Sequence, residues 1–265
     1  MPEYRYSPAC CDVSAQQRSP SPYLPKSRIL LKLKLPKGPA LNRERDDSMT
    51  TILTKGLLVS LESTDGAGKS TLVAGLNAYL EAKGRSVVLT REPGGTALGE
   101  AIRSLVLSGP GVKMAAMTEM LLMSAARAQH LTEVIHPALA KGKIVLCDRY
   151  IDSTHAYQGG GRGIAADVLN ALESHIVGVT RPHLTLLLDL PVEVGRARSA
   201  GRTTPDRIEV EHDAFFERVR ETYLARAAAE PERFRVIDAQ QAPSSVLDDS
   251  IRALDTLLAA QNLAE

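Results

Sequence analysis

The sequence predicts an α/β fold in which a doubly wound sheet of five parallel strands lies between two layers of helices. Short apolar segments alternate with longer segments of helical composition from residue 57 to the end of the chain. The apolar segments are largely continuous, which is typical of parallel strands covered on both faces. The first of them leads into a glycine-containing loop and then a helix, an arrangement common at phosphate-binding sites.

Residues 1–48 are predicted to be a disordered extension, followed by a single domain over residues 49–265. The extension contains seven of the fifteen prolines and shows no sustained helical or strand period. It holds nine Lys and Arg residues against five Asp and Glu residues, so the rest of the chain is slightly acidic within a total charge of +1. We therefore expect no nucleic-acid partner for the domain. Translation starting at Met49 is an alternative hypothesis for the extension.

Composition predicts a soluble globular protein of the cytoplasm. The hydrophobic fraction is 44% and the charged fraction is 24%, both ordinary values for such proteins. No apolar segment approaches the roughly 20 residues that a membrane helix needs, and the N-terminus lacks the apolar core of a signal peptide. The three cysteines, Cys10, Cys11 and Cys147, have neither metal-ligand spacing nor a paired framework, which suits a reducing compartment.

The predicted elements follow one another as repeated β-then-α units. The expected strands are Leu57–Leu61, Ser86–Thr90, Ile144–Cys147, Leu184–Leu188 and Phe234–Ile237. The expected helices are Lys69–Lys83, Leu98–Leu107, Met114–Arg127, His130–Lys141, Ile164–Val177, Val192–Ala200, Asp213–Ala229 and Ser244–Gln261. In such a sheet, ligands bind beyond the carboxyl ends of the strands, where the loops below are expected to meet.

The loop after the first strand resembles the phosphate-binding pattern G-x-x-x-x-G-K-[ST], with Ser63 in place of its first glycine. Backbone N–H groups at the helix start would surround the phosphates of a nucleotide, Lys69 would reach their oxygens, and the Ser70 hydroxyl would hold Mg²⁺. The alternative is an ordinary strand-to-helix turn rich in small residues. The residues expected to bind the nucleotide are Ser63, Thr64, Asp65, Gly66, Ala67, Gly68, Lys69, Ser70 and Thr71.

Polar residues also follow the second and third strands. Thr90–Thr96 is a turn when taken alone, but beside a phosphate loop its Arg91 and Glu92 become candidates to approach an acceptor. Asp148 can hold the shell of a Mg²⁺ ion, and Arg149 can bind a phosphate through two hydrogen bonds. The alternative for this pair is a structural ion pair. Gly159–Gly163 is expected to be a flexible segment, because nothing in the sequence indicates that packing requires its glycines.

A basic segment at residues 196–208 is expected to form a lid. It carries Arg196, Arg198 and Arg202, and turn residues interrupt the helical pattern there. The alternative is a solvated basic face. Arg103 and Arg127, on two of the predicted helices, are further candidates for an anion site, and either could equally be a surface helix residue.

Taken together, these motifs resemble those of the bacterial thymidylate kinases, which are P-loop nucleoside monophosphate kinases. The resemblance runs from about Met49 to the end of the chain. The matching pieces are the glutamate-led phosphate loop from Glu62, TREPGG from Thr90, the helix end Ala126-Arg127, DRY from Asp148, AYQGGGRG from Ala156 and DRIE from Asp206.

The resemblance implies transfer of the γ-phosphate of ATP to dTMP, with Mg²⁺ as cofactor, in a homodimer whose interface involves Met114–Lys141. Ser70 and Asp148 would organise the metal ion. Because the loop has Asp65 and no arginine, the catalytic arginine should come from the lid. The residues expected to act in catalysis are Asp65, Lys69, Arg149, Arg198 and Arg202.

The resemblance also implies a dTMP site. Glu92, Arg103 and Arg149 would orient the monophosphate, and Arg127 would hydrogen-bond the thymine ring. The base edge would be read at Thr154 and Gln158, and Tyr157 would crowd the sugar 2′ position. Met123 occupies the place where the family usually has a phenylalanine stacked on thymine.

Two departures from the family pattern leave other functions open. Ser63 would weaken ATP binding if its backbone needed a glycine conformation, and Met123 would raise the KM for dTMP. One alternative is a kinase for another deoxynucleoside monophosphate. The other is a nucleotide-binding regulator that has lost turnover and acts through its basic extension.

Overall fold

A computed structural model describes residues 56–108, 113–200 and 206–262 of the chain. These residues form a parallel sheet of five strands in the order β2-β3-β1-β4-β5, which confirms the predicted fold class. The extension at residues 1–48 and the proposed start at Met49 lie outside the described residues. The strands are β1 (Leu57–Ser63), β2 (Val87–Arg91), β3 (Ile144–Asp148), β4 (Leu184–Asp189) and β5 (Phe234–Asp238).

The helices cover both faces of the sheet. They are α1 (Lys69–Ala82), α2 (Ala97–Val106), α3 (Ala116–His130), α4 (His136–Ala140), α5 (Ile151–Ser153), α6 (Ala166–Ile176), α7 (Val192–Ser199), α8 (Asp213–Ala229) and α9 (Pro243–Asn262). Leu57 and Val59 of β1 pack in a core with α1 and α9, whereas Leu58 packs with Leu131 and Leu139 on the opposite face. Since successive strand residues point to opposite faces, a continuous apolar strand serves two cores. Among the described helices, none combines the length and apolar character needed to span a bilayer.

The two helices predicted over Met114–Arg127 and His130–Lys141 form one nearly continuous rod, which corrects the sequence prediction. Helix α3 runs to His130, a π-helical turn covers Leu131–Ile135, and α4 continues from His136. The N–H of His136 donates to the carbonyl of Leu131, five residues earlier. This wider turn comes immediately before Pro137, which has no N–H to donate.

The glycine-rich segment after β3 is helical, and the prediction of a flexible segment without packing constraints was wrong. Residues Thr154–Gly161 form a π-helical segment that continues α5 and packs along α8. A Cβ atom on Gly160 would lie 2.7 Å from the carbonyl oxygen of Arg218, and one on Gly161 would lie 2.7 Å from Cζ of the Phe215 ring. The glycines therefore allow the two helical segments to approach closely.

Candidate active site

The loop between β1 and α1 has a conformation that depends on glycine. Gly66 and Gly68 have φ angles of +78° and +89°, in the left-handed region that other residues rarely adopt. Helix α7 lies against this loop, because a Cβ atom on Gly195 would be 2.5 Å from the carbonyl oxygen of Asp65. The loop ends at the N-terminus of α1, where free N–H groups and the helix dipole favour an anion.

Two of the cavities that adjoin this loop share Arg198. One of about 260 Å³, which we call the phosphate cavity, is lined by Asp65–Thr71 together with Arg198 and Ser199 of α7. The second, of about 300 Å³, lies between the start of α1 and the loop before α9, and its lining includes Arg198, Ala239 and Gln241. Arg198 belongs to both cavities, and its Nη1 donates to the carbonyl oxygen of Ala239 at 2.8 Å. A nucleotide could therefore place its phosphates in the first cavity and its base in the second.

Ser63 is buried at the end of β1 and contacts the lysine of the loop. The Nζ of Lys69 donates to Ser63 Oγ at 2.9 Å. Ser63 pairs with Leu188 as a strand residue, and Arg149 is the sole non-glycine residue with positive φ among the described residues. The backbone at Ser63 therefore does not need glycine. Burial, followed by the charge of Arg149, lowers the pKa of Lys69 to about 8.

Asp148 and Ser70 offer oxygen atoms to a divalent cation. Asp148 Oδ1 is buried, accepts no hydrogen bond from the described residues, and lies 3.9 Å from Lys69 Nζ. Ser70 is exposed in the first turn of α1. A buried carboxylate oxygen without a hydrogen-bond partner, close to the lysine of the phosphate loop, fits the ligand preference of Mg²⁺, which keeps several waters and binds few protein oxygens.

Arg149 joins the phosphate loop to the end of β3. Its Nη1 donates to the carbonyl oxygen of Ser63 at 2.7 Å, and its Nη2 donates to Asp65 Oδ1 at 2.8 Å. The guanidinium also lies 4.9 Å from the centre of the Tyr157 ring. The ion pair of Arg149 is therefore with the loop residue Asp65, and no ion pair joins it to the adjacent Asp148 among the described residues.

A buried carboxylate supports the backbone behind Arg149. Glu62 accepts hydrogen bonds from the backbone N–H of Tyr150 at 2.7 Å, from the Ser153 hydroxyl at 2.6 Å and from the Tyr223 hydroxyl at 2.9 Å. Burial, followed by the nearby charge of Asp152, raises the pKa of Glu62 to about 7. Tyr223 was missed by sequence analysis, although its spacing from Phe216 and Val219 places it on the apolar face of α8.

A third cavity, of about 130 Å³, shares Asp65 with the phosphate cavity and brings most of the predicted acceptor residues together. We call it the acceptor cavity. Its lining includes the predicted residues Asp65, Glu92, Arg103, Met123, Arg149, Tyr157 and Gln158. Arg103 donates to the carbonyl oxygen of Pro93 at 3.0 Å, so it is not a freely exposed helix residue. Asp206 and Ile208, from the DRIE segment, complete the wall near the lid.

Arg127 and Thr154 lie next to the acceptor cavity but do not line it. Arg127 is buried, and it donates to Glu92 Oε2 at 2.7 Å, to Thr154 Oγ1 at 2.9 Å and to the carbonyl oxygen of Tyr150 at 2.9 Å. The other oxygen of Glu92 lies 2.9 Å from His130 Nδ1. His130 was missed, and its position three residues after Arg127, on the same face of α3, could have indicated it.

The arginines of the predicted lid have different surroundings. Arg196 is exposed and donates to the carbonyl oxygen of Glu211, whereas Arg198 faces the phosphate cavity. Arg202 lies outside the described residues. Arg207 is buried and donates to Glu119 at 2.6 Å. Glu119 was also missed, although it is the lone acidic residue in the apolar stretch MTEMLLM.

Comparisons with known proteins agree on one family. Residues 61–250 match a family model described as Thymidylate kinase. The thymidylate kinase of Pseudomonas syringae pv. syringae is 55% identical over 203 residues, covering 77% of this chain and 95% of the relative. That of Alcanivorax borkumensis is 50% identical over 204 residues, covering 77% and 98%. The crystal structure of thymidylate kinase from Ehrlichia chaffeensis superposes with a TM-score of 0.61 at 34% identity, covering 76% of this chain and 98% of that one.

Proposed function

Because the chain belongs to the thymidylate kinase family and so phosphorylates dTMP to dTDP, we propose that it uses Mg²⁺ and the residues described above. As a nucleotide kinase of this family it takes its phosphate from ATP. The observation that carries the residue assignment is the Asp65–Arg149 ion pair. Asp65 lines both the phosphate cavity and the acceptor cavity, and Arg149 lines the latter. The pair therefore stands where the two nucleotides would meet.

ATP would bind with its phosphates in the loop Ser63–Thr71. The backbone N–H groups and Lys69 would hold the phosphate oxygens, since their positive charge is concentrated at this helix start. Arg198 would reach the same phosphates from α7 and is our candidate for the arginine that stabilises the transferred group. Arg202 remains a second candidate on sequence grounds.

dTMP would bind in the acceptor cavity. Arg103 and Arg149 would bind its phosphate, and Met123 would contact the thymine ring from α3. Tyr157 and Gln158, from the helical segment after α5, would face the sugar and the base. Glu92, Arg127 and Thr154 form a hydrogen-bonded group next to the cavity, and we propose that they hold its wall and approach the thymine.

Ser70 and Asp148 would hold the magnesium ion. The ion would neutralise charge on the ATP phosphates, as it does in phosphoryl transfer generally. Asp148 ends β3 and Ser70 lies in the first turn of α1, which follows the adjacent strand β1, so both residues belong to the same edge of the sheet. The metal ion and the basic residues of the site would together offset the negative charge on the phosphate groups that react.

In the reaction, an oxygen of the dTMP phosphate attacks the γ-phosphorus of ATP in line with the departing ADP. The new P–O bond forms as the bond between the γ-phosphorus and the bridging oxygen breaks, and ADP carries away that electron pair. The acceptor oxygen is already ionised, so no strong general base is needed. Lys69, Arg149 and Arg198 would act by position and charge.

A coupled assay of ADP release with each deoxynucleoside monophosphate tests this proposal. We expect fastest turnover with dTMP, slow turnover with dUMP, and loss of turnover when EDTA removes the metal. A single methyl distinguishes the two pyrimidines, and an apolar pocket gains only about 1–3 kcal/mol from it. A different preferred acceptor, or unchanged rates in EDTA, would overturn the substrate or the metal assignment.

We also propose a homodimer in the cytoplasm. Exposed apolar residues lie on two neighbouring helices: Leu98 and Leu105 on α2, and Met117 and Leu121 on α3. Each pair has a spacing that places both residues on one helix face. Apolar side chains concentrated in this way are typical of an interface, and a second copy of the chain supplies a matching surface by two-fold symmetry.

A further inference from the structure

Glu119 is a buried carboxylate whose three partners come from distant parts of the chain. It lies in the first turn of α3 and is fully buried. It accepts hydrogen bonds from Gln158 Nε2 at 2.7 Å, from Arg207 Nη2 at 2.6 Å and from Arg162 Nε at 3.2 Å. Glu119 itself does not line the acceptor cavity, whereas Gln158 does.

The two arginines require Glu119 to act as a hydrogen-bond acceptor. A guanidinium has donors and no acceptor, and an ionised carboxylate has acceptors and no donor. Arg207 is further fixed because its Nε donates to the carbonyl oxygen of Val106 at 3.2 Å. The carboxylate is therefore held in place with its negative charge compensated.

Because Glu119 can only accept, Gln158 must point its NH₂ group towards it. The amide oxygen of Gln158, Oε1, is then the end left for a ligand. This atom is buried and accepts no hydrogen bond from the described residues, which is costly unless a ligand donates to it.

An acceptor oxygen next to the base selects for a base that offers a donor. The pairing edge of thymine or uracil has one donor, the N3–H, between two carbonyl oxygens. Cytosine has a lone pair at N3 and an amino group at position 4. The oxygen of Gln158 would pair with the first edge and repel the N3 of the second.

We propose that Glu119 is a positioning residue that makes the enzyme select a pyrimidine with an N3–H, because it fixes the amide orientation of Gln158. This inference rests on the proposed function in placing dTMP in the acceptor cavity. Arg207 and Arg162 contribute by holding the carboxylate.

The variant Glu119→Gln tests the proposal with little change of shape. The arginines would still require an acceptor, so the substituted side chain would give them its amide oxygen and turn its NH₂ group towards Gln158. Gln158 would then rotate its amide and present NH₂ to the base. We expect kcat/KM for dTMP to fall about tenfold or more, mainly through a higher KM. The ratio of kcat/KM for dTMP to kcat/KM for dCMP should fall by a similar factor.

Two further variants separate positioning from stability. Asp152→Asn also weakens a buried carboxylate held by two arginines, Arg226 and Arg233, so it should lower the melting temperature without changing the dTMP to dCMP ratio. In a Gln158→Ala background, Glu119→Gln should have no further effect on that ratio. Wild-type activity with dTMP and an unchanged ratio in Glu119→Gln would overturn this inference alone, whereas a wild type inactive on dTMP would overturn the proposed function.

Discussion

Arg149 donates hydrogen bonds to the phosphate loop and also lines the acceptor cavity. Its backbone has φ of +69°, a conformation that non-glycine residues rarely adopt. This conformation costs free energy and persists only where the surrounding contacts hold it in place. Glu62 accepts from the next backbone N–H, and Ser63 and Asp65 accept from the guanidinium. These contacts fix the planar group between the phosphate loop and the acceptor cavity.

Replacing Arg149 by lysine should lower kcat on the order of 10³-fold, because an ammonium keeps the charge but cannot make both hydrogen bonds of the guanidinium. Steady-state assays with dTMP and ATP would measure the loss. Arg220→Lys is the matched control, since Arg220 makes a similar two-bonded pair with Asp189 outside the three cavities. A kcat near the wild-type value in Arg149→Lys would contradict the assignment.

Met123 lines the acceptor cavity on an otherwise apolar helix face, next to Ile102 and Ala126. Replacing it by phenylalanine should lower the KM for dTMP about two- to tenfold, because an aromatic pair is worth about 0.5–1.5 kcal/mol beyond burial. KM values from initial rates would test this. Val236→Phe, a change to phenylalanine at an exposed position of β5 away from the cavities, should leave the KM unchanged. An unchanged KM in Met123→Phe would show that the ring is not stacked there.

The element that positions the acceptor residues is the helical segment from α5 to Gly161. It carries Tyr157 and Gln158, which line the acceptor cavity, and it packs along α8. Edge-to-face contacts of Tyr157 with Phe215 and Tyr223 join the two segments. A shift of this segment away from α8 would therefore move the residues that face the acceptor.

Gly160→Ala should destabilise the protein by about 1–3 kcal/mol and lower kcat/KM for dTMP, because the added methyl would meet the backbone of α8. Urea unfolding would give the stability and initial rates the activity. Gly159→Ala is the control next to it, since a methyl there would meet the flexible end of Leu169 at 3.0 Å and would lie at an ordinary contact distance of 3.9 Å from the carbonyl oxygen of Ile164. Equal effects of the two substitutions would count against packing on α8 as the cause.

At the scale of the whole molecule, the exposed apolar residues of α2 and α3 set the expected assembly. Leu121→Glu should convert the dimer to a monomer, because a buried charge at the interface would lack a partner. Light scattering would report the mass. Val179→Glu, at a position that is 79% exposed, is the control and should leave the mass unchanged. A monomeric wild-type protein would contradict the homodimer.

The stability of the whole molecule should depend on pH through Glu62. Its pKa rises from 4.5 to about 7 on burial, so the native state holds a proton that the unfolded state has released. The free energy of unfolding should therefore fall as the pH rises from about 4.5 to about 7. Glu62→Gln should remove this contribution, as urea unfolding of both proteins at several pH values would show. The same pH dependence in both would assign it to other groups.

The fold class, the phosphate loop and the order of the motifs could be predicted from the amino-acid sequence alone. Continuous apolar strands, their alternation with helices, and glycine positions within a short loop are local features that a chain displays without folding. The same local reasoning failed at Gly159–Gly161, where three glycines suggest a loop, because the close approach of α8 that requires glycine at Gly160 and Gly161 is not visible in the sequence.

The pairing of side chains that are distant in the sequence depends on the folded structure. Arg127 with Glu92, Arg149 with Asp65, and Glu119 with Gln158 and Arg207 are separated by 35 to 88 residues along the chain. Their distances depend on strand order and helix packing, which bring the carboxyl ends of β1, β2 and β3 side by side. A buried charge needs a partner of opposite charge or a hydrogen-bond donor or acceptor. This need arises only when the fold has excluded water from both groups, so the sequence alone does not show which groups pair.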